Sequence, residues 1–179
     1  MILVIGEQRA GSLNPVTWET VAAAQEMSDS VKVVVAGVRL ETVADELAGA
    51  DVSEVLVVDN EALEPYTPDG FVAALSDVVR EEKPDVVLWP HTYQTRDYAA
   101  KLAARLERVF IPDCIGSKMR EGTRVFVRPM FQGKFIADVL PEESAPHFVS
   151  MQIGSYRSDN AVRGTELAPV RNVPVNVDM

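Results

Sequence analysis

The sequence contains very little cysteine and histidine, two residue types that often act as nucleophiles, bases or metal ligands. It has one cysteine, Cys114, and two histidines, His91 and His147, among 179 residues. A single thiol can form neither an internal disulfide nor a site with several thiolate ligands, and the apolar run before it predicts a buried structural thiol. The motifs H-E-x-x-H and G-x-S-x-G are absent. We therefore expect no metal site and no catalytic residue in this chain.

Basic residues and long apolar runs are also scarce. Lys and Arg number 17 against 27 Asp and Glu, which gives a net charge of −10. Such an excess of carboxylates disfavours a nucleic-acid partner. No apolar run approaches the ~18 residues of a membrane-spanning helix, and residues 1–6 lack the basic leader of a signal peptide. We expect no membrane insertion, and a location in the cytoplasm or a mitochondrial-matrix-like compartment.

Short apolar runs alternate with helical patterns over the first two-thirds of the chain. The runs at residues 2–5, 31–36, 54–58 and 85–89 are continuously apolar, which is typical of strands buried on both faces of a parallel sheet. Between them, apolar residues recur every three or four positions, as on one face of a helix. This alternation predicts a doubly wound, mostly parallel α/β sheet with right-handed crossovers and helices on both faces.

The pattern changes after Pro112. Residues 124–131 and 135–140 predict an added β-hairpin, and residues 147–153 predict a further strand. We expect three aromatic side chains of the hairpin region to be exposed, beside a basic cluster. These residues are Phe126, Phe131, Phe135, Arg124, Arg128 and Lys134. Either one face of the hairpin meets another chain or domain, or the whole hairpin packs within its own fold.

The last part of the chain differs from the rest. Residues 155–179 contain Pro169 and Pro174 and show no helical face. We therefore divide the chain into an α/β domain at residues 1–154 and an extended arm, or the start of a linker, at residues 155–179.

Two predicted strand ends are candidates for binding a nucleotide. Residues 90–97 follow the fourth strand and open a helix, and open α/β sheets bind ligands at that edge, where helix N-termini offer N–H groups to anions. The alternative is that a threonine there merely caps the helix. The first two strands end in small residues that would let a nucleotide approach the backbone. The candidate residues are Gly6, Ala36, Gly37, His91, Thr92, Thr95 and Arg96.

A series of short motifs resembles the N-terminal domain of the electron transfer flavoprotein alpha subunit, from Met1 to about Gly154. Their order and spacing carry the resemblance. The pieces are Val4-Ile5-Gly6-Glu7, Gly11-Ser12-Leu13-Asn14-Pro15, Thr17-Trp18-Glu19, Val34-Val35-Ala36-Gly37, Gly49-Ala50-Asp51, Val55-Leu56-Val57-Val58-Asp59, Pro84-Asp85-Val86-Val87-Leu88, Arg96-Asp97, Leu102-Ala103-Ala104-Arg105-Leu106, Asp113 and Val127-Arg128-Pro129-Met130-Phe131-Gln132-Gly133-Lys134.

The resemblance implies a Rossmann-like domain, of the adenine-nucleotide-alpha-hydrolase-like type, that pairs with an electron transfer flavoprotein beta subunit. It implies that the flavin domain of the alpha subunit holds FAD and that this chain alone does not. We expect residues 155–179 to lead toward that flavin domain.

Three functions remain open from the sequence. The first is a structural and interaction domain of a heterodimer that relays electrons from dehydrogenases to a quinone-linked acceptor, a carrier component rather than an enzyme. The second is a free-standing adenine-nucleotide-binding domain, with AMP as a candidate ligand. The third is a small hydrolase or transferase of the same fold, for which the sequence supplies no nucleophile, base or metal site.

Overall fold

The fold is taken from a computed structural model, which describes residues 1–142 and 144–177. Strands and helices alternate up to residue 114, as the sequence predicts, apart from a short antiparallel pair of strands at residues 8–13. In chain order the elements are β1 (Ile2–Gly6), β2 (Gln8–Arg9), β3 (Ser12–Leu13), α1 (Val16–Met27), β4 (Val31–Gly37), α2 (Glu41–Ala48), β5 (Glu54–Asp59), α3 (Pro68–Glu82), β6 (Val86–Pro90), α4 (Tyr93–Arg105), β7 (Phe110–Cys114), β8 (Gly116–Arg120), β9 (Thr123–Met130), β10 (Phe135–Val139), β11 (His147–Met151) and β12 (Val170–Asn172).

The central sheet has seven strands in the order β12-β5-β4-β1-β6-β11-β7. Every neighbouring pair is parallel. The chain winds outward from β1 through β4 to β5 and then crosses back to β6 on the other side. The predicted doubly wound α/β sheet is therefore confirmed, and its order reverses between β1 and β6.

Alternate residues of each central strand enter two separate cores. In β1, Val4 contacts the core that includes α1 and α2, whereas Leu3 and Ile5 contact the core that includes α3 and α4. Both faces are thus covered by helices, which explains why the strands are apolar without alternation.

Polar side chains accept hydrogen bonds from backbone N–H groups at the starts of α3 and α1. The Thr67 hydroxyl accepts a hydrogen bond from the Gly70 N–H at 3.2 Å, with Pro68 in the first turn of α3. Before α1, Asn14 Oδ1 accepts from the Val16 N–H at 3.2 Å. These side chains satisfy N–H groups that a helix start leaves without a partner inside the helix.

A small antiparallel sheet follows the alternating region. The predicted hairpin is present as β9 and β10, and β8, which the sequence analysis missed, pairs with the other edge of β9. β8 was missed because it is short and mostly polar and has three exposed residues at its end. The strand predicted at residues 147–153 is present as β11, which lies in the central sheet between β6 and β7.

Residues 155–177 lie along the domain and include β12, which supplies the seventh strand beside β5. The Gln25 amide exchanges two hydrogen bonds with the backbone of Val162, at 2.8 and 3.0 Å. The Arg163 guanidinium lies 3.5 Å from the centre of the Trp18 ring. The segment therefore packs on the α/β domain, while the proposed boundary at residue 154 and the flavin domain beyond it stay predictions. Residues 178 and 179 lie outside the described part of the chain.

Candidate functional site

A cleft opens at the carboxyl ends of β1, β4 and β6, where the strand order reverses. Its volume is about 990 Å³. Open α/β sheets bind their ligands at this position. The cleft is lined by residues at or just after the ends of these three strands and by the start of α4. They include Glu7, Gln8, Gly37, His91, Thr92, Tyr93 and Arg96. Leu63 and Tyr66, before α3, and Phe71, within α3, also line it.

The structure brings four of the seven predicted residues to this cleft. Gly37, His91, Thr92 and Arg96 line it. The remaining three, Gly6, Ala36 and Thr95, are buried and are not among its lining residues. A Cβ atom at position 6 would come within 2.9 Å of a methyl group of Val35, so packing accounts for that glycine.

The side chain of Glu7, just after the end of β1, lies against the start of α4. The sequence patterns did not predict a role for it. The Thr92 hydroxyl donates to Glu7 Oε2 and accepts from the Thr95 N–H at 3.1 Å. The Asn14 amide donates to Glu7 Oε1 at 2.7 Å. A carboxylate thus occupies the helix end at which a phosphate was expected. The sequence does contain one signal for this position. Glu7 directly follows the buried strand β1 and therefore lies at the carboxyl-end edge of the sheet, where ligands bind.

Gln8 covers the end of β4. Its side-chain amide donates to the Ala36 carbonyl at 3.1 Å and accepts from the Gly11 N–H at 3.1 Å. Gly37 has φ of +147°, and a Cβ placed there would lie 2.2 Å from the Gln8 nitrogen. The glycine therefore makes room for a side chain of the same chain.

A serine, a histidine and an aspartate meet beside the cleft. His91 Nδ1 lies 2.8 Å from Ser150 Oγ, and its Nε2 lies 3.9 Å from Asp113 Oδ1. Burial lowers the pKa of His91, and Asp113 opposes that effect. Ser150 is fully buried and its oxygen accepts from the Asp113 N–H. A nucleophile must reach its substrate, so this arrangement is structural.

The tip of the β9–β10 hairpin is exposed on both of its faces. Phe131, Phe135 and Ile136 have exposed fractions of 73, 66 and 64%. Phe126 was expected to be exposed, and that prediction is wrong. Its side chain is fully buried in the core that includes α1, because β9 packs against the domain at that point.

In the part of the chain that the structure describes, the thiol, the helices and the potential metal ligands add no second candidate site. Cys114 is buried, as predicted, and burial raises the pKa of its thiol to about 12. Within residues 1–142 and 144–177, no helix is both long enough and apolar enough to cross a membrane. In the same part of the chain, no group of three side chains is arranged to hold a metal ion.

Comparison with known proteins assigns the family. Residues 2–178 match the electron transfer flavoprotein domain. The chain is 36% identical over 141 residues to the electron transfer flavoprotein subunit alpha of Bacillus subtilis (strain 168), covering 78% of this chain and 43% of that protein. The corresponding subunit of Syntrophomonas wolfei is 35% identical over 133 residues, which are 74% of this chain and 42% of the relative.

A relative with a different name shares the same region. The lactate dehydrogenase (NAD(+),ferredoxin) subunit LctC of Acetobacterium woodii is 29% identical over 156 residues, covering 84% of this chain and 37% of the relative. The chain thus spans somewhat less than half the length of the curated relatives described. The resemblance found in the sequence motifs is confirmed, and the chain belongs to the electron transfer flavoprotein domain family.

Proposed function

We propose that this chain is the structural and interaction domain of an electron transfer flavoprotein alpha subunit. In this proposal it pairs with a beta subunit and supports a flavin domain that holds FAD. The assembled protein relays electrons from dehydrogenases to a quinone-linked acceptor in the cytoplasm or in a matrix-like compartment. The family match and the similarity to alpha subunits support this role.

The observation that carries the proposal is the β9–β10 hairpin. Phe135 and Ile136 are consecutive in β10, so their side chains point to opposite faces, yet both are largely exposed. Phe131 lies at the turn with its ring centre 6.0 Å from that of Phe135. Exposed apolar groups clustered on one protruding element favour a protein partner.

The charge of this region points to the chemistry of the partner. Residues 116–135 carry five basic side chains and one carboxylate, although the whole chain has a net charge of −10. Lys118, in β8, is paired at 2.8 Å with Asp138 of β10, at the other edge of the small sheet. A partner with an acidic rim around an apolar centre would complement this surface, and its association rate would fall as salt is added.

Binding of the beta subunit encoded in the same genome tests the proposal. Burying one phenylalanine is worth ~1.5–3 kcal/mol, so changing Phe131→Ser and Phe135→Ser together should weaken the complex at least about 100-fold. Leu167→Ser is the matched control, because Leu167 is 76% exposed but lies in the C-terminal segment.

Calorimetry with the folded variants decides the outcome. We expect a 1:1 complex for the unchanged chain and for Leu167→Ser, and a much weaker one for the hairpin variant. Equal affinity for all three proteins would show that the hairpin is not the contact surface.

A nucleotide-binding function is the second candidate, favoured by the position of the cleft at the strand-order reversal. Gly37, Thr92 and Arg96 line this cleft, and AMP is the candidate ligand. Micromolar binding of AMP or ATP that is lost in Arg96→Ala would support this function. An absence of binding at millimolar nucleotide would exclude it.

A further inference from the structure

The side-chain carboxylate of Glu7 lies in the cleft at the strand-order reversal. Glu7 reaches the start of α4 and accepts hydrogen bonds from Thr92 and from Asn14. The same Thr92 hydroxyl caps the helix by accepting from the Thr95 N–H. The carboxylate therefore stands at the positive end of the α4 dipole, which is the place that attracts phosphates in related architectures.

A phosphate that entered at this helix end would meet the carboxylate at close range. Like charges repel more strongly in a partly buried site than in water. Rotating Glu7 away would break the hydrogen bonds that it accepts from Thr92 and Asn14, and the phosphate would have to replace both of them before it gained any net interaction. Either route makes phosphate binding unfavourable.

A second side chain closes the neighbouring approach. The Gln8 amide is fixed at both ends, by the Ala36 carbonyl and by the Gly11 N–H. It occupies the space above Gly37, where a nucleotide would otherwise contact bare backbone. The two adjacent residues thus fill two positions that a phosphate-bearing ligand would use.

Against the nucleotide-binding candidate, we infer that Glu7 is the specificity-determining residue that keeps phosphates and nucleotides out of this cleft, with Gln8 assisting. The cleft then accepts only ligands that carry no negative charge near α4. This property concerns the chain by itself and does not depend on the proposed beta subunit.

The test is a Glu7→Gln variant, which removes the charge but keeps an oxygen that accepts from Thr92 or Asn14. Glu64→Gln is the matched control, because Glu64 also lines the cleft and is half exposed, at 53%. Thermal unfolding is measured in sodium phosphate and in sodium chloride of equal ionic strength. AMP is compared with adenosine in the same way.

We take a millimolar dissociation constant for phosphate and a phosphate concentration ten times that constant. Phosphate should then raise the thermal unfolding midpoint of Glu7→Gln by about 3 °C. The unchanged chain and Glu64→Gln should not respond to phosphate beyond the chloride control. AMP should stabilise Glu7→Gln more than adenosine does.

Two results would overturn the inference. One is stabilisation of the unchanged chain by phosphate or AMP to the same extent as the variant. The other is a folded Glu7→Gln protein that responds no more than Glu64→Gln does. If Glu7→Gln does not fold, Glu7→Ala is examined with the same two ligands and the same criteria.

Discussion

Replacing Arg171 should release the edge strand β12 from the domain. Its guanidinium donates from Nε to Glu54 Oε1 at 2.8 Å and also pairs with Glu82. Lys32 donates to both carboxylates, at 2.8 and 2.7 Å. Glu54 and Glu82 are largely buried, with side chains 17 and 7% exposed, so Lys32 alone would have to balance two carboxylates in the variant. We choose Arg171→Met, which removes the charge and keeps most of the stem.

The pKa of Glu54 sets the magnitude of the effect. The hydrogen bond from Arg171 is the largest cause that lowers this pKa from 4.5 to about 2. At about 1.36 kcal/mol for each pKa unit, this corresponds to a ceiling of ~3.4 kcal/mol. Arg171 is 37% exposed, so solvent screens the pair. We expect Arg171→Met to lower the free energy of unfolding by about 1–2 kcal/mol at pH 7.

The dependence on pH separates ion pairing from packing. Glu54 has a lower pKa in the folded chain than in the unfolded chain, so its contribution is complete above about pH 4.5 and is lost as the pH falls toward about 2. The difference between the unchanged chain and Arg171→Met in urea unfolding should therefore fall by at least half between pH 7 and pH 3.

Arg157→Met is the control, because the Arg157–Asp159 pair is exposed. It should leave stability unchanged at both pH values. An equal loss for Arg171→Met at pH 7 and at pH 3 would refute the reasoning, since the stem rather than the charge would then hold β12.

Three further predictions concern buried groups. Burial raises the pKa of Cys114 to about 12, so a thiol-specific disulfide reagent at pH 8 should react with this thiol only after unfolding. Prompt reaction of the folded chain would contradict the burial of Cys114. In urea titrations, Phe126→Ala should lower the free energy of unfolding by ~3–5 kcal/mol. Phe131→Ala should change it by less than ~0.5 kcal/mol. Similar losses for the two variants would place both rings in the core. Burial lowers the pKa of His91 below 6.5, so an NMR titration should show a lower midpoint than in the unfolded chain, and this histidine should cost stability as the pH falls through 6.5. A midpoint above 6.5 would reverse that sign.

The main elements of the fold could be predicted because their signals are local. Continuous apolar runs identify four of the seven strands of the central sheet, and residues 90–97 identify the start of α4. The two edge positions taken by β7 and β12 have no comparable signal. β12 has three residues and is held by Arg171 through charges on distant elements, so its own sequence does not reveal it.

The candidate site could be located but not fully described. Strand ends and the helix start at Thr92 predict the position of the cleft. The role of Glu7 could not be predicted, because its carboxylate contacts Thr92, 85 positions later in the chain. The burial of Phe126 also depends on long-range packing, since alternation along β9 does not show which face meets the domain.

Sedimentation of the purified chain with the beta subunit from the same genome tests the central claim most directly. Absorbance is recorded at 280 nm for protein and near 450 nm for oxidised flavin. The account predicts that the chain alone sediments without flavin absorbance and that it joins the beta subunit in a 1:1 complex. Stoichiometric flavin on the isolated chain, or separate sedimentation of the two proteins at concentrations of tens of micromolar, would contradict it.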